Sequence, residues 1–366
     1  MNPRIILFAL HEMKDIGWKT ILKIMQCYPD LKEVVRAKRQ DLERLEIRAA
    51  QAQTICDNLT EAYVNERLTA YEKQGVQILT IYDEAYPELL KQSSQPPWVL
   101  YYKGNLELLQ NPLIAIVGTR IPTVYGKNIA LQFGDALSRV GFTIVSGLAR
   151  GIDSCAHEGA IKQRGSTIAV LGCGVNVVYP LENGPLYREI ANKGLLLSEF
   201  PLGTPAKPGL FPLRNRIIAS LSLGTLVVEA ALKSGSLITA DQALDENRDV
   251  FAIPGPINSP KSLGALSLIK KGGAKLVDCT EDILMEYRHI LEIDHEVNGK
   301  AKKDQTQDIF NADEQLIINI LTQAPATFDH ILEETQTNFG HLHAILLSLV
   351  MKKAINQLPG SIYSIR

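Results

Sequence analysis

The sequence predicts an α/β fold with a doubly wound, mostly parallel sheet, and three observations lead to that prediction. Six short apolar runs recur between residues 113 and 255, each ending in a glycine or a polar loop, and a helical pattern follows each run. Strands that are almost continuously Val, Ile and Leu are typical of parallel strands covered on both faces. Hydrophobic residues make up 46% of the 366 residues, which is enough to form a sizeable core. These features predict a Rossmann-like domain.

The six predicted strands determine where binding residues are expected. In chain order they are Leu113–Gly118, Phe142–Gly147, Thr167–Gly172, Leu195–Phe200, Thr225–Ala230 and Val250–Gly255. Sheets of this kind bind ligands outside the carboxyl ends of their strands. The loops that follow these strands are therefore the first places to search for a functional site.

Composition changes divide the chain into four predicted segments. Helical spacing of apolar residues predicts a small helical domain over residues 1–75, and the Rossmann-like domain follows over residues 76–290. Residues 291–311 carry few large apolar side chains and are predicted to be a linker. Three helical patterns and a hairpin then predict a winged-helix domain over residues 312–366.

Charge is distributed unevenly along the chain. The 38 basic and 40 acidic residues give a net charge of −2, which by itself argues against a polyanionic partner. Residues 112–275, however, carry 17 basic and 11 acidic residues, a net charge of +6, so the remainder carries −8. A basic centre between acidic ends indicates that nucleic acid or phosphate binds at the centre.

The cysteines and the apolar segments indicate a cytoplasmic protein. Five cysteines with no CxxC pair predict reduced thiols, with neither a disulfide framework nor a zinc site. No segment approaches the roughly 20 apolar residues of a membrane span, and the N-terminus does not resemble a signal peptide. We therefore expect no metal, no cofactor and no membrane.

Two of the loops combine glycine with arginine. Gly118-Thr119-Arg120 follows the first strand, where glycine lets the backbone approach an anion and arginine supplies a fork of donors suited to phosphate. Ser146-Gly147 follows the second strand and leads to Arg150 and Asp153, the latter a candidate N-cap. For this second loop, ordinary turn chemistry is an equally good interpretation.

The segment after the fourth strand, Lys207–Ile218, is the most informative. It places Lys207, Arg214 and Arg216 around the ring of Phe211, and cations beside an aromatic ring are typical of single-strand binding. The alternative is that Phe211 fills the core while the arginines pair with Glu199 or Glu229. For any one residue the two interpretations are equally good, but the cluster as a whole favours binding.

Small residues after the fifth strand form a further candidate anion site. Ser234-Gly235-Ser236 precedes a helical pattern with Ser236 as the candidate N-cap, and a helix start presents free backbone N–H groups. The chain has neither a GxGxxG nor a GxxxxGK[ST] motif, which disfavours a dinucleotide site and a P-loop ATPase. No GxSxG elbow is present either, and His157 is interpreted as a surface or capping residue rather than a catalytic base.

Five segments in order resemble the DNA-processing protein A family, also called DprA or Smf. They are GTR (118–120), SGLARGID (146–153), FPLRNRIIASLS (211–222), VVEAALKSGSLITADQA (227–243) and VFAIPG (250–255). The resemblance implies a cytoplasmic, non-enzymatic protein of natural transformation that binds and protects incoming single-stranded DNA and loads the RecA recombinase. It also implies a homodimer formed through the Rossmann-like domain, and it implies that the N-terminal helical domain is of helix-hairpin-helix or sterile-alpha-motif type.

The loops and the resemblance together give a set of candidate DNA-binding residues. The set comprises Gly118, Thr119, Arg120, Ser146, Gly147, Arg150, Lys207, Phe211, Arg214, Asn215, Arg216, Ser234, Gly235 and Ser236. No catalytic residue is expected among them.

An enzymatic alternative remains open. Residues 224–229 (GTLVVE) resemble part of the GTxxE motif of Rossmann-like nucleotide N-glycosidases of the lysine-decarboxylase-like group, in which a Glu and an Arg act on a nucleoside monophosphate. The PGG that precedes that motif is missing here. We therefore favour Glu229 as a partner for Arg214 or Arg216.

The predicted winged helix has an acidic balance, with three basic and five acidic residues over residues 313–366. This balance favours a protein-docking or structural module over a module that reads duplex DNA.

Overall fold

The computed structural model describes residues 1–290, 312–335, 337–351, 354–358 and 362–365. The chain divides into two compact units, Met1–Ile293 and Asp294–Arg366. The predicted linker, residues 291–311, lies outside the described residues. Within the described residues, no helix combines the length and the apolar character needed to cross a bilayer.

The first unit begins with five α-helices and one 3₁₀ segment, Leu31–Arg36. The α-helices are α1 (Pro3–Glu12), α2 (Trp18–Cys27), α3 (Arg39–Arg44), α4 (Ala49–Asn58) and α5 (Glu61–Lys73). Side-chain caps define two of the starts, since Asn2 accepts a hydrogen bond from the amide of Ile5 and Thr60 accepts one from the amide of Tyr63. The apolar faces of these helices share one core with strands of the following sheet, so the boundary at residue 75 stays a prediction.

The centre of the first unit is a sheet of nine strands. They are β1 (Gln77–Thr80), β2 (Val99–Gly104), β3 (Leu113–Val117), β4 (Thr143–Ser146), β5 (Thr167–Leu171), β6 (Leu195–Ser198), β7 (Gly224–Val227), β8 (Asp249–Ala252) and β9 (Lys275–Leu276). Their order across the sheet is β1-β2-β6-β5-β4-β3-β7-β8-β9. The pairs from β6 to β9 are parallel, and β1 and β2 join the edge at β6 through antiparallel pairs.

The predicted doubly wound, mostly parallel sheet is confirmed. All six predicted strands are present as β3 to β8. Alternate residues of β3 enter different cores, with Ile114 and Ile116 on one face of the sheet and Ala115 and Val117 on the other. Because both faces are buried, the strand sequence is apolar throughout. The edge strands β1 and β9 were not predicted.

Further α-helices of the first unit accompany the sheet. They are α6 (Glu88–Lys91), α7 (Val124–Arg139), α8 (Ile152–Ala160), α9 (Gly184–Lys193), α10 (Leu210–Leu221), α11 (Gly235–Asp245), α12 (Leu263–Lys270) and α13 (Glu281–Glu286). The strand order turns back at β3, whose neighbours are β4 on one side and β7 on the other. This reversal is the position at which open α/β sheets form a ligand crevice.

The second unit has the predicted winged-helix architecture. Its elements are α14 (Ala312–Gln323), β10 (Ala326–Thr327), α15 (Phe328–Thr335), α16 (Phe339–Met351), β11 (Ile355–Leu358) and β12 (Ile362–Ile365). The strands form an antiparallel sheet in the order β10-β12-β11. Leu342, Ile345, Leu346 and Leu349 of α16 are buried in the core of this unit, where they stabilise it.

Candidate nucleic-acid interface

A cavity of about 560 Å³ opens at the carboxyl end of the sheet, beside β3. Its walls come from the loop after β3, the first two turns of α10 and the start of α11. Nine of the fourteen predicted residues line it, namely Gly118, Thr119, Arg120, Phe211, Arg214, Asn215, Ser234, Gly235 and Ser236. Segments almost 120 residues apart in the chain therefore converge on one site, which we call the first cavity.

The segment expected to be a loop, Lys207–Ile218, is helical from Leu210 onward. Pro212 fits in the first turn of α10 because backbone N–H groups there have no partner within the helix. Phe211, Arg214 and Asn215 are spaced by three and four residues, so they share one face and line the first cavity. Arg216 projects elsewhere and bonds to the carboxylate of Glu199 and to a backbone carbonyl of residue 95.

Arg214 forms the floor of the first cavity and is only 3% exposed. Its Nη1 donates to the carbonyl of Gly147, at 2.6 Å, and to that of Val170. A Cβ at Gly147 would collide with this guanidinium, so the close approach requires glycine. Burial lowers the pKa of Arg214 to about 10, and the charge of Asp153 opposes this shift. Arg214 therefore connects the ends of two strands rather than projecting into solvent.

Two further buried side chains hold the loop after β4. Asp153 lies inside α8, whose N-cap is Gly151, so the expected Asp153 cap is not formed. Its Oδ2 accepts hydrogen bonds from the amides of Gly147 and Ala149, at 3.1 and 3.4 Å. Burial raises the pKa of this carboxyl group, and the charge of Arg214 opposes the increase.

His157, expected at the surface or in a cap, is fully buried beneath the same loop. Its Nε2 accepts a hydrogen bond from the amide of Leu148 at 3.2 Å, and its Nδ1 lies 2.6 Å from Oγ1 of Thr167. Burial lowers the pKa of His157 to about 3, with a smaller contribution from the charge of Arg214. The imidazole is therefore neutral at physiological pH and supports the loop structurally.

The rim of the first cavity carries exposed polar and aromatic groups. Arg120 is exposed, and its guanidinium carbon lies 5.5 Å from the centre of the Phe211 ring, in cation–π range. Tyr179 contacts the same ring, with 5.4 Å between ring centres and 35° between planes. Phe211 is half-buried against Gly172, where a Cβ would lie 2.6 Å from the ring. Sequence reasoning missed Tyr179, and its only signal was an aromatic residue shortly after a glycine-rich turn.

The remaining predicted residues lie around this rim or beneath it. Gly147 and Arg150 line a small neighbouring cavity that Arg120, Tyr179 and Phe211 also border, and Arg150 pairs with Glu182 at the surface. Lys207 is exposed between two lining residues of the first cavity. Ser146 is buried and donates to the carbonyl of Ile116 at 2.6 Å, so it supports β4 and lines neither cavity.

The start of α11 brings backbone donors to the first cavity. Its N-cap is Ser234, whose hydroxyl accepts from the amide of Ser236, so the cap is two residues earlier than predicted. The first-turn amides of a helix have no intrahelical acceptors, and this end of the helix dipole is positive. Together with Arg120, this helix start provides a region suited to a phosphate group.

Glu229 does not pair with an arginine in the part of the chain that the structure describes. Its carboxylate instead accepts from the amide of Thr123, at 2.9 Å, and from the hydroxyl of Thr123, at 2.5 Å. The predicted pairing of Glu229 with Arg214 or Arg216 is therefore wrong, and Glu199 is the partner of Arg216.

One group of potential metal ligands lies close together among the described residues. It consists of Asp278, Cys279 and Asp282, whose ligand atoms are within 4.8 Å of one another. None of the three lines the first cavity.

Comparison with known proteins identifies the family. The family model described as DNA recombination-mediator protein A matches residues 77–288, and that of the DprA winged helix domain matches residues 301–361. Protein Smf of a Synechocystis species is 37% identical over 332 residues, which cover 82% of each chain. The chain belongs to the DNA recombination-mediator protein A family.

Two solved structures of family members are similar to this chain. The structure of DNA processing protein A from Streptococcus pneumoniae is 36% identical, with a TM-score of 0.69 over 78% of this chain and 99% of that one. That of DNA processing protein A from Helicobacter pylori, described in terms of its single-stranded DNA binding mode, is 32% identical. Its TM-score is 0.53 over 59% of this chain and 96% of that one. The sequence-based family resemblance is thereby confirmed.

Proposed function

We propose that this protein binds and protects incoming single-stranded DNA and loads the RecA recombinase onto it during natural transformation. In this proposal it acts in the cytoplasm, without catalysing a reaction, as a homodimer formed through the Rossmann-like domain. The observation that carries the DNA-binding step is the convergence of exposed Arg120, the Phe211 and Tyr179 rings and the start of α11 around one cavity. The Helicobacter pylori relative, described as binding single-stranded DNA, supports the same step.

The chemistry of the first cavity suits a single strand better than a duplex. Phosphates would bind Arg120, Lys207 and the first-turn amides of α11, while an unstacked base would pack on Phe211 or Tyr179. Stacking accepts every base because each has a π-face, so binding is expected to tolerate sequence changes and to weaken with salt. The buried Arg214 and Arg216 would act indirectly, by holding α10 and the neighbouring strand ends in place.

Fluorescence anisotropy tests the proposal with labelled oligo-dT and a duplex of equal length at two salt concentrations. Wild type is expected to prefer the single strand, and Arg120→Glu is expected to weaken binding by at least about tenfold, since it reverses a charge beside the phosphates. Arg164→Glu is the matched control, because Arg164 is exposed and precedes β5, at the opposite end of the sheet. Equal binding by wild type and Arg120→Glu would contradict the proposed site.

The RecA and dimer steps need their own measurements. The full chain is expected to shorten the lag of RecA assembly on single strands coated with single-strand-binding protein, and Arg120→Glu is expected to lose this effect. Light scattering of the chain in solution reports the mass directly. If the protein binds single strands but leaves the lag unchanged, the RecA-loading step alone is contradicted. If its mass at micromolar concentration is that of one chain, the homodimer alone is contradicted.

A further inference from the structure

The loop between β3 and α7, residues 118–123, carries Arg120 at the rim of the first cavity. Arg120 and Ile121 are exposed in the middle of this loop, and Ile121 is 74% exposed. A surface loop of this kind keeps one shape only where hydrogen bonds hold its ends. The position of Arg120 therefore depends on the groups that bond to Thr119 and Thr123.

Glu229, two residues after the end of β7, bonds to both ends of this loop. Its backbone carbonyl accepts a hydrogen bond from the amide of Thr119 at 2.7 Å. Its carboxylate accepts from the amide of Thr123 through Oε2, at 2.9 Å, and from the hydroxyl of Thr123 through Oε1, at 2.5 Å. These three bonds fix the residues on either side of the segment 120–122.

The two ends of the loop differ in what holds them. At the first end, the carbonyl of Thr119 also accepts from the amide of Ile152 at 3.2 Å, so both bonds there are between backbone groups. At the other end, the amide and the hydroxyl of Thr123 are held by the side chain of Glu229. A substitution of Glu229 therefore releases the Thr123 end and leaves the Thr119 end in place.

The Glu229 side chain is packed closely against the start of α7. Glu229 is only 4% exposed, and a Cβ at Gly126 would lie 2.5 Å from its carboxylate, so this approach requires glycine. The hydroxyl of Thr123, the N-cap of α7, also accepts from the amide of Gly126 at 3.1 Å. Because both carboxylate oxygens are used within the protein, Glu229 holds the loop and does not contact a ligand.

We propose that Glu229 is a positioning residue for the DNA contact that Arg120 makes. By holding Thr123, its carboxylate keeps the loop in the shape that places the Arg120 guanidinium 5.5 Å from the centre of the Phe211 ring, at the first cavity. The inference rests on the proposed function, because the position of Arg120 affects binding only if a phosphate binds there.

Two variants of Glu229 that remove the same charge test the proposal. Glu229→Gln keeps an oxygen that accepts from the Thr123 amide and an NH₂ group that can donate to its hydroxyl, whereas Glu229→Met has a side chain of similar length without either group. Loss of a negative charge near bound phosphates strengthens DNA binding, so charge alone predicts tighter binding by both variants. Positioning predicts that only Glu229→Met binds more weakly.

Fluorescence anisotropy with the full chain and labelled oligo-dT, over a series of salt concentrations, measures the difference. Glu229→Gln is expected to bind at least as tightly as wild type. Glu229→Met is expected to bind about threefold more weakly, with a slope of log affinity against log salt that is less steep by up to about 0.7, the value for one phosphate contact. Partial unfolding lowers the active fraction of the protein but leaves this slope unchanged. The inference is overturned if Glu229→Met keeps the wild-type affinity and slope, or if Glu229→Gln binds as weakly as Glu229→Met.

The Arg120→Ala background tests whether Glu229 acts through Arg120. Residues that act as one unit are not additive, so Glu229→Met is expected to cause no further loss of affinity once Arg120 is alanine. If it weakens binding by the same factor in both backgrounds, Glu229 does not act through Arg120 and the inference is overturned.

Limited trypsin digestion tests the loop without DNA. Trypsin cleaves after Arg120 only when the loop opens, and cleavage after the exposed Arg164, at the opposite end of the sheet, is the internal reference. The ratio of the two cleavage rates is expected to rise by at least about threefold in Glu229→Met and to stay at the wild-type value in Glu229→Gln. An unchanged ratio in Glu229→Met would overturn the inference.

The two proposals fail in different ways. If wild type binds single strands but Glu229→Met binds them equally well, the positioning role is excluded and the proposed function stands. If wild type binds no single strand at low salt, the proposed function fails and the role of Glu229 in binding fails with it.

Discussion

Two sets of basic residues at the carboxyl end of the same sheet have opposite environments. Arg120 and Lys207 are exposed at the rim of the first cavity. Arg214 and Arg216 belong to the same run of sequence as Phe211, yet their guanidinium groups bond to carbonyl groups and to Glu199 inside the protein. A basic residue therefore does not contact the ligand merely because it belongs to the motif. Whether its charge is exposed or already bonded within the protein decides its role.

The difference has an energetic basis. A guanidinium that leaves water must replace its hydrogen bonds with protein acceptors, or burial becomes very unfavourable. Arg214 does so with the carbonyls of Gly147 and Val170, which fixes the backbone beneath the cavity. Arg120 stays in water beside a ring and keeps its donors available for a phosphate. The buried pair provides a rigid site, and the exposed pair provides the contacts.

The largest expected effect is a loss of stability that distinguishes the buried Arg214 from the exposed Arg120. Arg214→Met removes the donor of two buried carbonyls and the positive charge near Asp153, and it is expected to lower the free energy of unfolding by about 3–5 kcal/mol. Arg120→Met is expected to change it by less than about 1 kcal/mol, because only an exposed cation–π contact is lost. Urea denaturation measures both. If Arg214→Met kept wild-type stability and lost only DNA binding, Arg214 would belong with the exposed set.

The sheet and several site residues could be predicted because they depend on local sequence. Strands buried on both faces require apolar runs, and loops at their carboxyl ends require glycine and polar residues, so β3 to β8 and the Gly118–Arg120 loop were found. The helical start at Leu210 was not predicted, since Pro208, Gly209 and Pro212 together indicate a loop. Because this helix was not predicted, the sequence did not indicate that the side chains of Arg214 and Arg216 project in different directions.

Residues whose roles depend on tertiary contacts could not be predicted. Tyr179 reaches the first cavity because the chain after β5 passes beside α10, and no local pattern indicates which ring it meets. His157 is on the inner face of α8 and is buried beneath the loop after β4, which depends on how that loop packs. The Thr123–Glu229 contact joins residues 106 positions apart. The spacing of residues along the sequence does not indicate which of these distant residues come into contact.

The pH dependence of stability tests the buried residues beneath the first cavity, of which His157 is one. The pKa of His157 is about 3 in the folded protein and ordinarily about 6.5, so its contribution to stability is fully present above pH 6.5 and is lost as pH falls towards 3. At pH 5 the loss is expected to be about 2 kcal/mol relative to pH 7. His157→Gln, whose amide oxygen replaces the acceptor for Leu148, is expected to be less stable at pH 7 and to lose less stability on acidification. Parallel pH profiles for the two proteins would show that His157 is not buried as a neutral group.

The smallest expected effect on stability is that of replacing the exposed Lys207. Lys207→Ala removes one charge near the first cavity without breaking a described hydrogen bond of that side chain, so stability is expected to change by less than about 0.5 kcal/mol. Its affinity for oligo-dT is expected to fall uniformly across sequences, and the slope of log affinity against log salt is expected to become less steep by about 0.7, the value for one phosphate contact on a single strand. Lys162→Ala is the matched control, because Lys162 is exposed and precedes β5, away from the carboxyl end of the sheet. An unchanged slope for Lys207→Ala would show that Lys207 does not contact a phosphate. Arg120 would then be the one residue of the exposed pair that does.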